Sequence, residues 1–155
     1  RGAGRRARVV AVTDAEPMPL NGTIVSLSRF RRAREMLLAR NSPLGVLLKS
    51  SESPEVLGED VHRLAVMILE FPVVRDGRPF ARARLLRTRM IYRGEIRASG
   101  HFLYDQIAFA VRTGFDSFDM PDGFTLGQYA RALHEMSFVY QPSADGRATI
   151  RQLRA

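Results

Sequence analysis

The sequence predicts a single α/β domain of repeated βα units with a mainly parallel sheet, either open or partial-barrel-like. Three observations lead there. Leu64–Phe71 is apolar without alternation as far as Glu70, the pattern of a strand covered on both faces. Other short apolar runs are separated by helical-period segments of about 10 to 13 residues, the spacing of crossovers between parallel strands. Asp76-Gly77, Arg93-Gly94, Gly114 and Asp122-Gly123 punctuate these units as turns. At 155 residues, with 45% hydrophobic and 26% charged residues, the chain supports one core without disulfide or metal staples.

Taken in order, residues 1–21 read as a basic N-terminal arm with a short strand at Arg8–Thr13. Its Gly2-Ala3-Gly4-Arg5-Arg6-Ala7 matches a dinucleotide-binding pattern in form alone, because no strand feeds the glycines and basic residues follow. The α/β domain spans 22–141. Thr23–Leu27 is a strand, and Ser28 is placed to N-cap a helix over Arg29–Arg40 whose apolar face carries Phe30, Ala33, Met36 and Leu37. Asn41-Ser42-Pro43 ends that helix. Leu44–Leu48 reads as a buried strand, and Ser50–Asp60 as a loop with one helical turn after Ser53-Pro54. After the Leu64–Phe71 strand, Pro72 stops pairing and Arg78-Pro79 opens a helix to Met90. A strand at Glu95–Ser99, a helix over Phe102–Thr113 capped by Gly114, and a strand at Phe115–Asp119 follow. Thr125 caps a helix to His134, Ser137–Tyr140 forms the last strand, and 142–155 is a C-terminal tail.

The formal charge of +8 is carried almost wholly by arginine, Lys49 being the single lysine among 24 basic residues. Two blocks concentrate it. Arg1 to Arg34 sets eight arginines against Asp14 and Glu16, and Arg75 to Arg97 sets eight against Asp76 and Glu95. So lopsided a distribution predicts an acidic protein partner or a small anionic ligand. Nucleic acid is disfavoured, since neither an aromatic stacking platform nor a groove-reading motif accompanies the arginines. With no Cys, thiolate cluster ligation, thiol catalysis and disulfide exchange are excluded for this chain. His62, His101 and His134 are too scattered for a metal motif, and GxSxG and P-loop patterns are lacking, so neither metal nor cofactor is predicted. No apolar run approaches the roughly 18 residues of a bilayer span, and the expectation is a cytoplasmic protein without membrane contact.

Parallel α/β folds bind ligands at the carboxyl ends of their strands. Arg78 falls there beside a helix N-terminus, and the backbone around Gly100 opens another, an arrangement suited to sulfate, sulfite, phosphate or carboxylate. Glu70 ends an apolar strand, where a carboxylate can serve as general base; His101 and Asp105 lie at the next strand end. The competing reading makes Arg78 a solvated turn residue and assigns Arg84, Arg87 and Arg97 to structural pairing, with Glu70 and Asp105 as partners. Asp116 and Asp119, three apart around a strand, are expected on opposite faces, which disfavours a metal clamp.

Leu44-Gly45-Val46, Asp60 to Leu64, Glu70-Phe71-Pro72, Asp76-Gly77-Arg78, Ala83 to Arg87, Gly94 to Ala98, Gly100, Asp105-Gln106 and Gly114 to Phe118 form an ordered set. Over roughly residues 22 to 141 the chain resembles a bacterial domain-of-unknown-function family, numbered nine hundred and thirty-four, that carries an oxidoreductase label. It departs from the family's pattern at His101, Tyr104 and Thr113. The resemblance implies a bacterial protein encoded beside assimilatory sulfite reductase. Together with the charge pattern it leads to the expectation of an accessory protein that binds sulfite reductase or another acidic protein, or a small anion. The alternative is a small enzyme with its site at the strand ends. Open sheet edges and apolar helix faces also allow a homodimer.

Overall fold

The computed structural model describes residues 10–11, 22–120, 125–134, 139 and 141–153. The basic arm ahead of Val10 and the strand expected at Ser137–Tyr140 lie outside the described residues, Val139 excepted.

Six strands form one parallel sheet in sequential order: β1 Val10–Ala11, β2 Thr23–Ser26, β3 Leu44–Leu48, β4 Val66–Phe71, β5 Glu95–Gly100 and β6 Ser117–Phe118. β1 and β6 do not pair with each other, so the sheet is open and not a closed barrel. Sequential order without a reversal sends successive right-handed crossovers to the same side of a sheet. The core bears this out. Phe30, Leu37, Leu57, Val61, Ala83, Leu86 and Ala110, from successive connections, pack in one cluster with Val25, Val46, Met67, Ile96 and Ala98 of the strands.

The other sheet face follows from the register. One row runs Ile24, Gly45, Val66, Glu95; the next runs Ser26, Leu47, Ile68, Arg97, Ser117; Glu70 and Ser99 pair beyond them. This face is apolar at β2 to β4, where Ile24, Val66 and Ile68 cluster with Leu47, and polar at β5 and β6. Gly45 is required by the close approach: a Cβ there would lie 2.5 Å from Val66 Cγ1.

The first helix starts earlier than the sequence reading placed it. Ser26, not Ser28, is the N-cap, because Ser26 ends the strand in an extended conformation and its Oγ accepts from Arg29 N at 3.2 Å. Ser28 already lies inside the first turn. Ala33, at φ −117° and ψ 24°, then divides the helix into α1 Leu27–Arg32 and α2 Arg34–Leu38. The break resets the helical phase, leaving Met36 56% exposed although the single-helix reading placed it on the buried face.

Residues after Ser53 form more than one turn. A 3-10 helix covers Pro54–Arg63, kinks at Gly58 (φ 51°), and buries Leu57 and Val61. α3 spans Arg78–Thr88, α4 Gln106–Thr113 and α5 Leu126–His134. Gly114 ends α4 at φ 117°, as expected of a glycine cap. Thr125 and Gln128 form a capping box at α5: Thr125 Oγ1 accepts from Gln128 N at 3.3 Å, and Gln128 Oε1 from Thr125 N at 2.8 Å.

The segment expected to be a tail folds back onto α4. Arg112, only 8% exposed, donates from Nε to Asp145 Oδ2 at 3.0 Å and from Nη2 to Gln141 O at 2.7 Å, while Ser143 Oγ donates to Arg112 O at 2.7 Å. A buried guanidinium needs such partners, so residues 141–145 act as a strap over the α4 end. A short helix, α6 Ile150–Leu153, follows. Between sheet and helices, the Phe71 ring sits 5.0 Å from that of Phe80 and 5.8 Å from those of Phe102 and Phe115. Among the described residues, no helix is long and apolar enough to cross a membrane.

Candidate functional site

The β4–α3 turn brings Arg78 to the carboxyl edge of the sheet, where it meets a carboxylate from its own turn. Asp76 Oδ1 accepts from Arg78 N at 3.0 Å and Nε at 2.9 Å, and Oδ2 accepts from Nη2 at 2.7 Å. Arg78 Nη2 also donates to Ser50 Oγ at 3.0 Å. The Asp76 side chain is 4% exposed and that of Arg78 59%. These bonds from Arg78 hold the Asp76 carboxyl far below the usual carboxylate range, against the opposing effect of burial. Asp76 therefore already supplies the anion that the start of α3 favours. Arg78 is neither a free anion receptor nor a fully solvated turn residue.

One helical turn further on stands an arginine that no sequence signal singles out. Arg82 is half-buried, and its Nη1 is the buried side-chain nitrogen left without a hydrogen-bond partner among the described residues. Burial lowers its pKa first and the charge of Arg78 second, with Asp76 and Glu52 opposing. Neither carboxylate is hydrogen-bonded to it: Asp76 is held by Arg78, and Glu52 Oε2 accepts from Lys49 N at 2.8 Å. Ser53, Arg78, Ala81, Arg82 and Leu85 line an open cavity of about 300 Å³.

The remaining candidates lie apart. Gly100, at φ 98°, turns the chain over β4, and His101 N donates to Phe71 O at 2.8 Å. The backbone around Gly100 is thus spent on the sheet edge. The His101 side chain is exposed, and Asp105, at the N-cap of α4, is exposed and makes no side-chain capping bond. Glu70 is half-buried on the face opposite the helices, in register with Ser99. No hydrogen bond or ion pair among the described residues links any two of Glu70, Arg78, His101 and Asp105. No group of three or more His, Asp or Glu among those residues is placed to hold a metal.

Two of the three arginines expected in structural pairs are paired, with different carboxylates. Arg87 bonds Asp116, and Arg97 donates to Glu95 Oε1 from Nε at 3.1 Å and Nη2 at 2.8 Å. Ser117 Oγ donates to the same Glu95 oxygen at 2.5 Å. Arg84 is exposed. The expected partners, Glu70 and Asp105, are displaced by residues nearer in register: Glu95 precedes Arg97 by two on one strand, and Asp116 leads into β6 beside α3. Asp116 and Asp119 do serve opposite sides, the first toward Arg87 of α3 and the second 4.0 Å from Arg97 Nη1.

Residues 45–151 match the model of a family described as a bacterial protein of unknown function, DUF934. The chain belongs to that family. The match begins at Gly45 of β3 and runs through the strap into α6, so the DUF934 portion contains Ser53, Arg78, Arg82 and the Arg112–Asp145 pair, while α1 and α2 precede it. No curated protein and no solved structure matches the chain.

Charge is organised at a larger scale as well. α1 to α4 and the 3-10 helix pack on one side of the sheet, so the arginines that α1 to α3 expose meet solvent on that side. Arg31, Arg32 and Arg34 are exposed on α1 and α2, and Arg78, Arg84 and Arg89 on α3 and its C-cap. Between them the 3-10 helix exposes Glu55 and Glu59, and its Asp60 accepts from Arg34 Nε at 2.5 Å and Nη2 at 2.7 Å.

Proposed function

We propose that this protein is a non-catalytic accessory of assimilatory sulfite reduction that docks an acidic protein surface through its arginine-rich helical side. The observation that carries the reading is the exposure of Arg31, Arg32, Arg34, Arg78, Arg84 and Arg89 on helices that pack on one side of the sheet. Guanidinium groups suit such a surface because their forked donors match carboxylates in pairs. Sulfite reductase is the partner of choice on the sequence resemblance. An interface of this kind gains encounter rate and orientation from charge and weakens with salt. The test is size-exclusion chromatography with mass detection, on the protein alone and mixed with sulfite reductase, at low and moderate salt. Co-elution that fades with salt, and is lost when Arg31 and Arg32 are both changed to Glu, is the expected result. Separate elution at both salts overturns the reading.

A second reading, a small enzyme with an oxidoreductase-type site near the strand ends, is favoured by Glu70. A half-buried carboxylate with no hydrogen bond or ion pair among the described residues is free for proton transfer. A bound chromophore or nucleotide carried through purification would support it. Its absence from protein purified gently from the native source would count against it.

A further inference from the structure

We infer that the apolar patch where the β4–α3 and β5–α4 loops meet α3 and α4, centred on Val73, Phe80, Leu103 and Phe109, anchors an acidic segment of a partner protein by that segment's bulky apolar side chains. This rests on the reading of the helical side as a docking surface for an acidic protein, and adds where on that side the apolar contact is made.

Val73, Leu103 and Phe109 are 58%, 49% and 44% exposed, and Phe80 is half-buried beside them. They are contiguous. The ring of Phe109 meets that of Phe80 edge-on at 5.1 Å, and Phe80 meets the buried ring of Phe71 at 5.0 Å, so a row of rings runs from the core to solvent. Gln106 ties the two loops: its Nε2 donates to Val74 O at 3.2 Å, and its Oε1 accepts from Leu103 N at 2.9 Å. The patch is therefore held in place before any partner arrives, which lowers the ordering cost of binding. Single apolar residues scattered on a surface need no explanation, but a joined group with aromatic members, seated on the core, has the composition of an interface centre.

Charge selects the occupant. Arg84 stands four residues after Phe80 on α3, hence on the same face, and Arg75 stands two after Val73; both are exposed. The carboxylates next to the patch in sequence are Asp76, already bonded to Arg78, and Asp105, which as N-cap of α4 lies at the positive end of that helix. An apolar centre with an arginine rim matches a segment that carries apolar side chains between carboxylates. A second copy of this chain is a poor match, because a two-fold contact across the patch sets Arg75 and Arg84 of one protomer against those of its partner. An anionic membrane calls for a larger cluster, of about four to eight basic residues.

The test is selection of phage-displayed linear peptides against the full chain, followed by fluorescence titration of the selected peptides at low and moderate salt. Peptides that set Asp or Glu beside Phe, Leu or Trp are expected. Their affinity should fall with salt, and should fall at least about tenfold in Phe109→Ser, the scale of losing one anchor residue. Should Phe109→Ser fail to fold, Leu103→Ser, in a loop, is expected to cause a several-fold loss. No enrichment, enrichment of peptides without acidic residues, or affinity unchanged by a folded Phe109→Ser or Leu103→Ser variant overturns the anchor. So does a dimer in solution, or sedimentation with phosphatidylserine vesicles, that Phe109→Ser abolishes. The sulfite reductase reading fails separately. Wild-type protein that takes up the peptides through Phe109 yet elutes apart from sulfite reductase keeps the anchor and loses that partner, whereas co-elution that survives Phe109→Ser keeps the partner and overturns the anchor.

Discussion

Replacing Arg87 by Ala is expected to cost the domain about 3 kcal/mol, because one side chain ties four segments together. Its Nε donates to Gly114 O at 3.0 Å, and its Nη1 donates to Tyr92 O at 2.7 Å and Gly94 O at 2.8 Å. Nη2 bonds Asp116, whose Oδ2 also accepts from Ile96 N at 2.8 Å. The end of α3, the loop before β5, the C-cap of α4 and the approach to β6 thus share one guanidinium. Each carbonyl bond contributes about 1 kcal/mol net. The Asp116 pair adds less than about 1 kcal/mol, since its carboxylate side chain is 51% exposed to screening solvent. Truncation also removes the contact of Arg87 with the Tyr92 ring, 5.7 Å from Cζ to centroid. For a domain of this size 1 kcal/mol corresponds to about 2–4 °C, so Tm should fall by about 10 °C. Urea unfolding followed by circular dichroism measures the loss directly. Arg87→Lys should recover less than half, because an ammonium cannot span three carbonyls from one position. A loss under about 1 kcal/mol for Arg87→Ala would refute the clamp as an energetic unit.

Two further outcomes follow from the β4–α3 turn and the β5 end. Asp76 has a folded pKa below its ordinary value of 3.8, so the native carboxylate binds fewer protons than the unfolded one. Its contribution is complete above that ordinary value and is lost as pH falls from there through the lower folded value. Asp76→Asn should therefore lose less Tm than wild type between about pH 6 and pH 3, and equal losses would remove Asp76 from the acid limb. Gly100→Ala forces a side chain into φ 98° and drives its Cβ against the Phe71 carbonyl oxygen. A destabilisation of about 2 kcal/mol is expected in the same urea assay, and a change below about 0.5 kcal/mol would show that the turn relaxes freely.

The strands were legible because a parallel sheet buried by helices demands continuous apolar runs, and Leu44–Leu48 and Leu64–Phe71 have few other uses. Period two then places Glu70 opposite Phe71, which is where the register puts it. Helix starts were less legible. Ser26 and Ser28 are equally good caps as residue types, and only the backbone at the strand end decides between them. The ten-residue 3-10 helix escaped because its i to i+3 bonds, interrupted at Gly58, leave no 3.6-residue stripe to read. The site was the hardest part, for a reason specific to this composition. In a chain where arginine supplies all but one of the basic residues, the letter carries little information about the role. Arg78, Arg82, Arg84 and Arg87 lie on one helix, yet the structure makes them a carboxylate clamp, an unpartnered half-buried cation, a solvated side chain and a multi-carbonyl tie. What separates them is the angle each takes around α3 and what the adjoining loop places there. Of the four, Arg82 alone has a buried nitrogen without an acceptor, so its charge is the one of the four that the fold desolvates without compensation by a hydrogen bond.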